Sequence, residues 1–96
     1  MATYILLINW TDQGIRSVKD SPKRLDAARE LARTAGCELR DFYMTIGAYD
    51  MVALLDAPSD EAAARFVLSA ASPGNIRTTT LKAFSEDAYR KLLGAL

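Results

Sequence analysis

The sequence contains no histidine, the side chain that most often serves as general base or metal ligand near neutral pH. Histidine triads, histidine-based zinc sites and histidine-ligated haem are therefore excluded. The single cysteine, Cys37, cannot form an internal disulfide, and no Cys-x-x-Cys motif is present for zinc or thiol exchange. We predict neither a metal site nor a cofactor.

The sequence also has no excess of charge of one sign and no long apolar run. Twelve basic and twelve acidic residues give a net charge of zero, so no field attracts a nucleic-acid backbone. The longest apolar run, residues 4–8, is far shorter than the roughly 18 to 20 residues that cross a bilayer. No charged segment followed by a long apolar stretch opens the chain. We expect a cytoplasmic protein that has neither nucleic acid nor a membrane as partner.

The composition that remains is that of an ordinary globular chain. Half of the 96 residues are hydrophobic, with only 3 prolines and 5 glycines, so disorder and fibrous repeats are not indicated. A chain of this length holds one hydrophobic core. We therefore predict a single domain over residues 1–96.

Four segments have the patterns of β-strands. Residues 3–9 and 51–55 are apolar at consecutive positions, which is typical of central strands buried on both faces. Residues 38–46 and 75–83 mix polar and apolar side chains, which is typical of edge strands. Two central and two edge strands are therefore predicted.

Four helices are predicted from N-cap residues that precede apolar residues at three- and four-residue spacing. The N-caps are Thr11, Ser21, Ser59 and Ser85. The helix that follows Ser21 has Pro22 at its first position and ends at Gly36. In the C-terminal helix, Ala88, Leu92 and Leu93 are expected to dock on the body or on a neighbouring subunit.

The predicted order is β-α-β-β-α-β followed by a terminal helix, which indicates an α+β protein. In a ferredoxin-like βαββαβ sandwich, split β-α-β units place strands one and three in the centre of an antiparallel sheet of order 4-1-3-2. These are the two most apolar strands of this sequence. Strand composition and topology therefore predict the same fold.

Both crossover helices of such a fold cover the same face of the sheet. Of the two alternating sets in the first strand, Tyr4, Leu6 and Ile8 or Ile5 and Leu7, only one can face the helices. The other set leaves an apolar patch larger than monomers usually tolerate. We therefore predict a homo-oligomer in which open sheet faces meet, as in dimeric α+β barrels.

Three segments are predicted to converge at one rim of the sheet: residues 10–13, 47–50 and 74–77. They bring aromatic, carboxylate, amide and guanidinium groups together, as a small-molecule pocket requires. Tyr43 would enlarge this pocket if its side chain points inward. The predicted ligand-binding residues are Trp10, Thr11, Gln13, Tyr43, Gly47, Tyr49, Asp50, Asn75 and Arg77.

Four motifs, in order and at matching spacing, together resemble the GYD domain family. They are residues 9–15 (NWTDQGI), 20–24 (DSPKR), 47–50 (GAYD) with Ala57-Pro58 after the next strand, and 74–78 (GNIRT) with 81–84 (LKAF). The name-giving positions fall on Gly47, Tyr49 and Asp50, and Asp56 stands where the family pattern has a glutamate. The resemblance implies a small bacterial ferredoxin-like protein of the dimeric-barrel kind, with no firmly attached activity.

The rim residues admit structural as well as functional interpretations. Gly47 permits a turn with positive φ. Asp50 is either a carboxylate base in a desolvated pocket or a structural group that pairs with Arg77 or caps turn amides. Tyr49 binds a ligand or wedges a subunit interface, and Trp10 packs against the core or stacks on a planar ligand.

Two functional hypotheses follow. The first is a non-catalytic ligand-binding or regulatory module whose assembly or partner protein responds to ligand. The second is a cofactor-independent oxygenase or isomerase, with Asp50 as catalytic base, Tyr49 as a further catalytic candidate, and Trp10 and Asn75 as positioning residues. Because histidine is missing, acid-base catalysis near pH 7 has less support, and the first hypothesis is favoured.

Overall fold

One four-stranded antiparallel sheet organises the backbone of the computed structural model, which describes residues 1–96. Its strands are β1 (Ala2–Trp10), β2 (Glu38–Met44), β3 (Met51–Ala57) and β4 (Ile76–Ala83). The spatial order is β2-β3-β1-β4, which is the predicted order 4-1-3-2 taken from the opposite edge. The two most apolar strands, β1 and β3, lie in the centre as predicted.

Four helices complete the fold: α1 (Asp12–Arg16), α2 (Ser21–Thr34), α3 (Asp60–Ala71) and α4 (Glu86–Gly94). A single 3-10 turn, Val18–Asp20, precedes α2. Three predicted N-caps are confirmed: Thr11, Ser59 and Ser85 each accept a hydrogen bond from the amide three residues later. None of the helices has the length and apolarity needed to span a membrane.

The prediction that Ser21 caps α2 is wrong. Ser21 already has helical φ and ψ because the 3-10 turn leads directly into α2. Its hydroxyl oxygen instead accepts a hydrogen bond from Trp10 Nε1 at 3.3 Å. At the other end, α2 ends at Thr34, and Gly36 terminates it as predicted: φ is +77° at Gly36, and Cys37 N donates to Ala32 O at 2.8 Å.

The hydrophobic core lies between the sheet and helices α2 and α3. Because side chains alternate along a strand, every second residue of β1 and β3 faces these helices. The buried strand residues are Tyr4, Leu6, Ile8, Met51, Ala53, Leu55 and Ala57. Phe66 of α3 and Ala32 of α2 pack on them from the helix layer. We call this side of the sheet the covered face.

The opposite side of the sheet, the open face, carries an apolar strip. Ile5 of β1 pairs with Leu54 of β3 and with Leu81 of β4, and Leu7 pairs with Val52. None of these five residues is buried. The predicted apolar set without a cover is therefore present in the single chain.

The C-terminal helix α4 buries none of its residues. Leu92 is 53% exposed and Leu93 is 47% exposed. Of the two expectations for this helix, docking on the body of its own chain is therefore wrong, and docking on a neighbouring subunit stays a prediction.

Candidate functional site

The three segments predicted to form the rim pocket meet at the end of the sheet where β1 ends and β4 begins. Thr11 N donates to Asn75 O at 3.0 Å, and Thr11 Oγ1 donates to Gly74 O at 2.6 Å. Gln13 Nε2 donates to both Pro73 O and Asn75 Oδ1 at 3.0 Å. These bonds fasten the start of α1 to the loop before β4.

Gly14 allows this close approach. It is buried, and a Cβ atom at this position would lie 2.0 Å from the backbone oxygen of Asn75. No other residue fits without moving the backbone. Sequence analysis assigned no role to Gly14, because the approach depends on a contact with a residue 61 positions away.

Asp50 joins the β2–β3 connection to the end of β1. Its Oδ2 accepts a hydrogen bond from Trp10 N at 3.0 Å, while its own amide donates to Ile8 O and to Asn9 Oδ1, both at 3.0 Å. Of the structural alternatives, the structure shows a bond to a backbone amide and no ion pair with Arg77. This carboxylate holds two chain segments together.

The rest of the β2–β3 connection is held by hydrogen bonds between its own residues. Thr45 N donates to Asp50 O at 2.8 Å, and Thr45 Oγ1 donates to Tyr49 O at 2.6 Å. Gly47 has φ of +147°, in the region that favours glycine, so its interpretation as a turn residue is confirmed. The half-buried Tyr49 has a hydroxyl group without a hydrogen-bond partner in the chain.

Two predicted site residues do not join the rim cluster. The side chain of Tyr43 is 62% exposed, and its residue pairs with Val52 of the open face. The condition under which it would enlarge the rim pocket is therefore not met. Arg77 is exposed and pairs with Asn9, also on the open face.

Trp10 connects the rim to the helix layer. Its ring nitrogen donates to Ser21 Oγ, and the half-buried side chain packs against the core. This supports the interpretation of Trp10 as a packing residue. Whether the rim residues also contact a ligand stays a prediction.

A cavity of about 470 Å³ lies beside the rim, between α2 and α3 and above the covered face. Among the predicted site residues, only Asn75 lines it. Sequence analysis missed this cavity because its size depends on the separation of two helices. A usable signal was present in the small residues Ala28 and Ala70, which face it from the two helices.

A tyrosine and a carboxylate are coupled at the opposite end of the sheet. The Tyr4 hydroxyl donates to Asp60 Oδ1, and Lys82 Nζ lies 3.0 Å from the same oxygen. The hydrogen bond to Asp60 raises the pKa of Tyr4 to about 12. Hydrogen bonds from Tyr4 and Lys82 lower the pKa of Asp60. This pair supports the fold and lies away from the rim.

Comparison with known proteins gives relatives of the same size. One is named glutamine synthetase and cystathionine beta-lyase binding protein, from Thermus thermophilus. It is 34% identical over 84 residues, covering 86% of this chain and 88% of the relative. A crystal structure of a protein from the same organism has a TM-score of 0.57 at 26% identity, covering 88% of this chain and 95% of that one.

More distant structures share the fold alone. The feast or famine regulatory protein from M. tuberculosis, complexed with L-methionine, has a TM-score of 0.65 at 21% identity. The match covers 91% of this chain, which spans about half the length of that regulator. The family model described as GYD domain matches residues 4–93. This match extends over nearly the whole chain, and it shows that the chain belongs to the GYD domain family.

Proposed function

We propose that this chain is a non-catalytic regulatory module that pairs with a second copy through its open face and binds a partner protein. The apolar strip on the open face carries this proposal. Ile5, Leu54 and Leu81 lie side by side across three strands, and Leu7 and Val52 extend the strip. Burying an aliphatic side chain is worth about 1.5–3 kcal/mol, so covering the strip gives a strong drive to associate.

A second copy is the cover that fits this surface. The strip crosses both central strands and reaches the edge strand β4, and two such sheets pack face to face at about 10 Å. A two-fold axis would place the same strip on both sides of the contact. The proposed assembly is therefore a dimeric α+β barrel.

The rim supports binding better than catalysis. Asp50, the candidate base of the enzyme hypothesis, accepts a hydrogen bond from Trp10 N, and its backbone is held by β1. Thr11, Gln13 and Asn75 are engaged with one another or with nearby backbone. These groups form a rigid scaffold, which suits recognition.

The name of the T. thermophilus relative supports a protein partner. That relative is named for binding two metabolic enzymes, and we propose that this chain also binds a metabolic enzyme. A small molecule at the rim, contacting Trp10, Tyr49 and Asp50 among others, remains part of the regulatory hypothesis. We propose that it adjusts the affinity for the partner.

Changing the open face tests self-association directly. Leu54→Asp places a charge in the apolar strip, and we expect the mass from light scattering to fall to that of a 10.5 kDa monomer. Leu68→Asp makes the same change on α3 at a residue that is 70% exposed, and it should keep the wild-type mass. Circular dichroism checks that both variants fold. A wild-type monomer at micromolar concentration would contradict the proposal.

Purified enzymes test the partner. Glutamine synthetase and cystathionine beta-lyase from the same source are immobilised, and the binding of wild type and of Leu54→Asp is measured by interferometry. Saturable binding to either enzyme supports the proposal, and the absence of binding to either one excludes this partner class.

Native mass spectrometry then tests the rim: a retained molecule should be lost in Tyr49→Phe or Asp50→Asn, and unchanged retention in both excludes these residues from the binding site.

A further inference from the structure

We propose that the cavity between α2 and α3 binds a small apolar molecule carrying one carboxylate or carbonyl group. Its floor is the covered face of the sheet, where Leu6, Ile8 and Ala53 line it. The open face lies on the other side of the same strands. This inference is therefore independent of the proposed self-association, and either can fail without the other.

The body of the cavity is apolar. Leu25, Ala28 and Leu31 line it from α2, and Phe66 and Val67 line it from α3. Its volume of about 470 Å³ falls within the roughly 300–1,000 Å³ of small-molecule pockets. The space opens to solvent, so its apolar walls contact water in the free chain, and a ligand that covers them gains the free energy of burying apolar surface.

Small side chains keep the cavity open. Ala28 on α2, Ala70 on α3 and Ala53 on β3 all line it, where larger residues would fill the space. As a result, Leu25 and Leu31 remain only half-buried, although α2 packs on the sheet. Both leucines would gain contacts with an apolar ligand.

Polar side chains line the cavity where α2 and β4 begin, and several of their O–H and N–H groups have no acceptor in the chain. Ser21 Oγ accepts from Trp10 but has no acceptor for its own hydroxyl hydrogen. Asn75 uses its oxygen to accept from Gln13, and its amide nitrogen has no acceptor. Thr78 also lines this region, and its hydroxyl has no hydrogen-bond partner in the chain.

Arg24 adds a positive charge to these donors. Its two terminal nitrogens donate to Ser17 O and Gly14 O, both at 3.2 Å, which fixes the guanidinium group. The Nε hydrogen is left without an acceptor, and no carboxylate forms an ion pair with this arginine. A fixed cation among donors favours a ligand group that accepts hydrogen bonds, above all a carboxylate.

Titration of the full chain with decanoate and with decanol, followed by amide NMR shifts, tests the inference. We expect saturable shifts at Leu25, Ala28 and Val67 with both probes, because both carry the apolar chain. Decanoate should bind about tenfold more tightly than decanol, because only it gains the charge-assisted contact with Arg24. Absence of saturable shifts with both probes would overturn the inference.

Matched variants separate the two parts of the site. Ala28→Leu fills the cavity and should weaken both probes at least about tenfold. Ala64→Leu, at an exposed position of the neighbouring helix, should change neither affinity. Arg24→Gln should abolish the preference for decanoate while keeping the binding of decanol, and Arg65→Gln is its exposed control. A loss of structure alone would weaken both probes equally.

Two outcomes contradict the assignment. Unchanged affinity in Ala28→Leu would place the probes elsewhere. Shifts of the same amides on simple dilution, without any probe, would show that a second copy of the chain fills the cavity.

Discussion

Both faces of the central strands carry large apolar side chains, but their surroundings are opposite. Leu55 is fully buried under the helix layer, whereas the adjacent Leu54 belongs to the open face and is only half-buried. The difference arises from the crossover connections, whose handedness places α2 and α3 on one side of the sheet. Burial within one chain is therefore decided by topology as well as by hydrophobicity.

The faces also differ in the kind of ligand they suit. The covered face has a concave space between two helices, with donors where α2 begins. The open face is a broad apolar strip on the strands themselves. We therefore propose different occupants for them: a small molecule for the first surface and a second sheet for the other.

The largest expected effect separates Leu55 from Leu54. Leu55→Ala should lower the free energy of unfolding by about 2–5 kcal/mol at any protein concentration, because it leaves a hole in the core. Leu54→Ala should cost much less in dilute solution and more at high concentration, where assembly contributes. Urea denaturation at two concentrations measures both. Equal losses in dilute solution would show that the open face is already covered within one chain.

A smaller effect is expected at the rim, where the two faces meet. Gly14→Ala drives a methyl group against the Asn75 backbone, and the free energy of unfolding should fall by about 1–3 kcal/mol. Gly94→Ala is the control, because nothing lies within 4 Å of the added carbon. Thermal unfolding compares the variants. Unaltered stability of Gly14→Ala would show that the loop before β4 shifts easily.

The smallest expected effect is on the pH dependence of stability, and it distinguishes a hydrogen-bonded pair on the covered face from one on the open face. The pKa of Asp60 is lowered in the folded protein, so its contribution to stability is present above about pH 4 and is lost in more acidic solution. The pKa of Tyr4 is raised to about 12, so its contribution is lost as the pH rises above about 10. Tyr4→Phe should flatten both limbs of the plot of melting temperature against pH.

Thr3→Val is the control for this measurement. It removes the hydroxyl hydrogen bond to Asp56 on the open face and leaves the bond between Tyr4 and Asp60 intact. Its pH profile should keep the wild-type shape. A wild-type profile in Tyr4→Phe would show that this hydrogen bond contributes nothing to folding.

Features that depend on local pattern could be predicted from the sequence. Strand order followed from the apolarity of β1 and β3, and the caps at Thr11, Ser59 and Ser85 followed from residue type and spacing. Ser21 was misassigned as an N-cap because the sequence alone does not distinguish a serine that caps a helix from one whose hydroxyl oxygen accepts a hydrogen bond from a distant tryptophan.

The candidate site was predictable only in part. Topology correctly brought residues 10–13 and 74–75 together, because strand ends meet at a common rim. It could not indicate that Asp50 would be engaged by Trp10 N, nor that α2 and α3 would leave a cavity between them. Both features depend on side-chain packing between elements distant in the sequence.

The bond from Trp10 N to the aspartate of the GYD signature has a consequence for the family. In this chain the aspartate of the signature connects the end of β1 to the start of β3. We therefore expect proteins that share this signature to have the same fold and to differ in the ligands they bind. Comparing the ligands and partners of these proteins would then be more productive than searching for a reaction that they share.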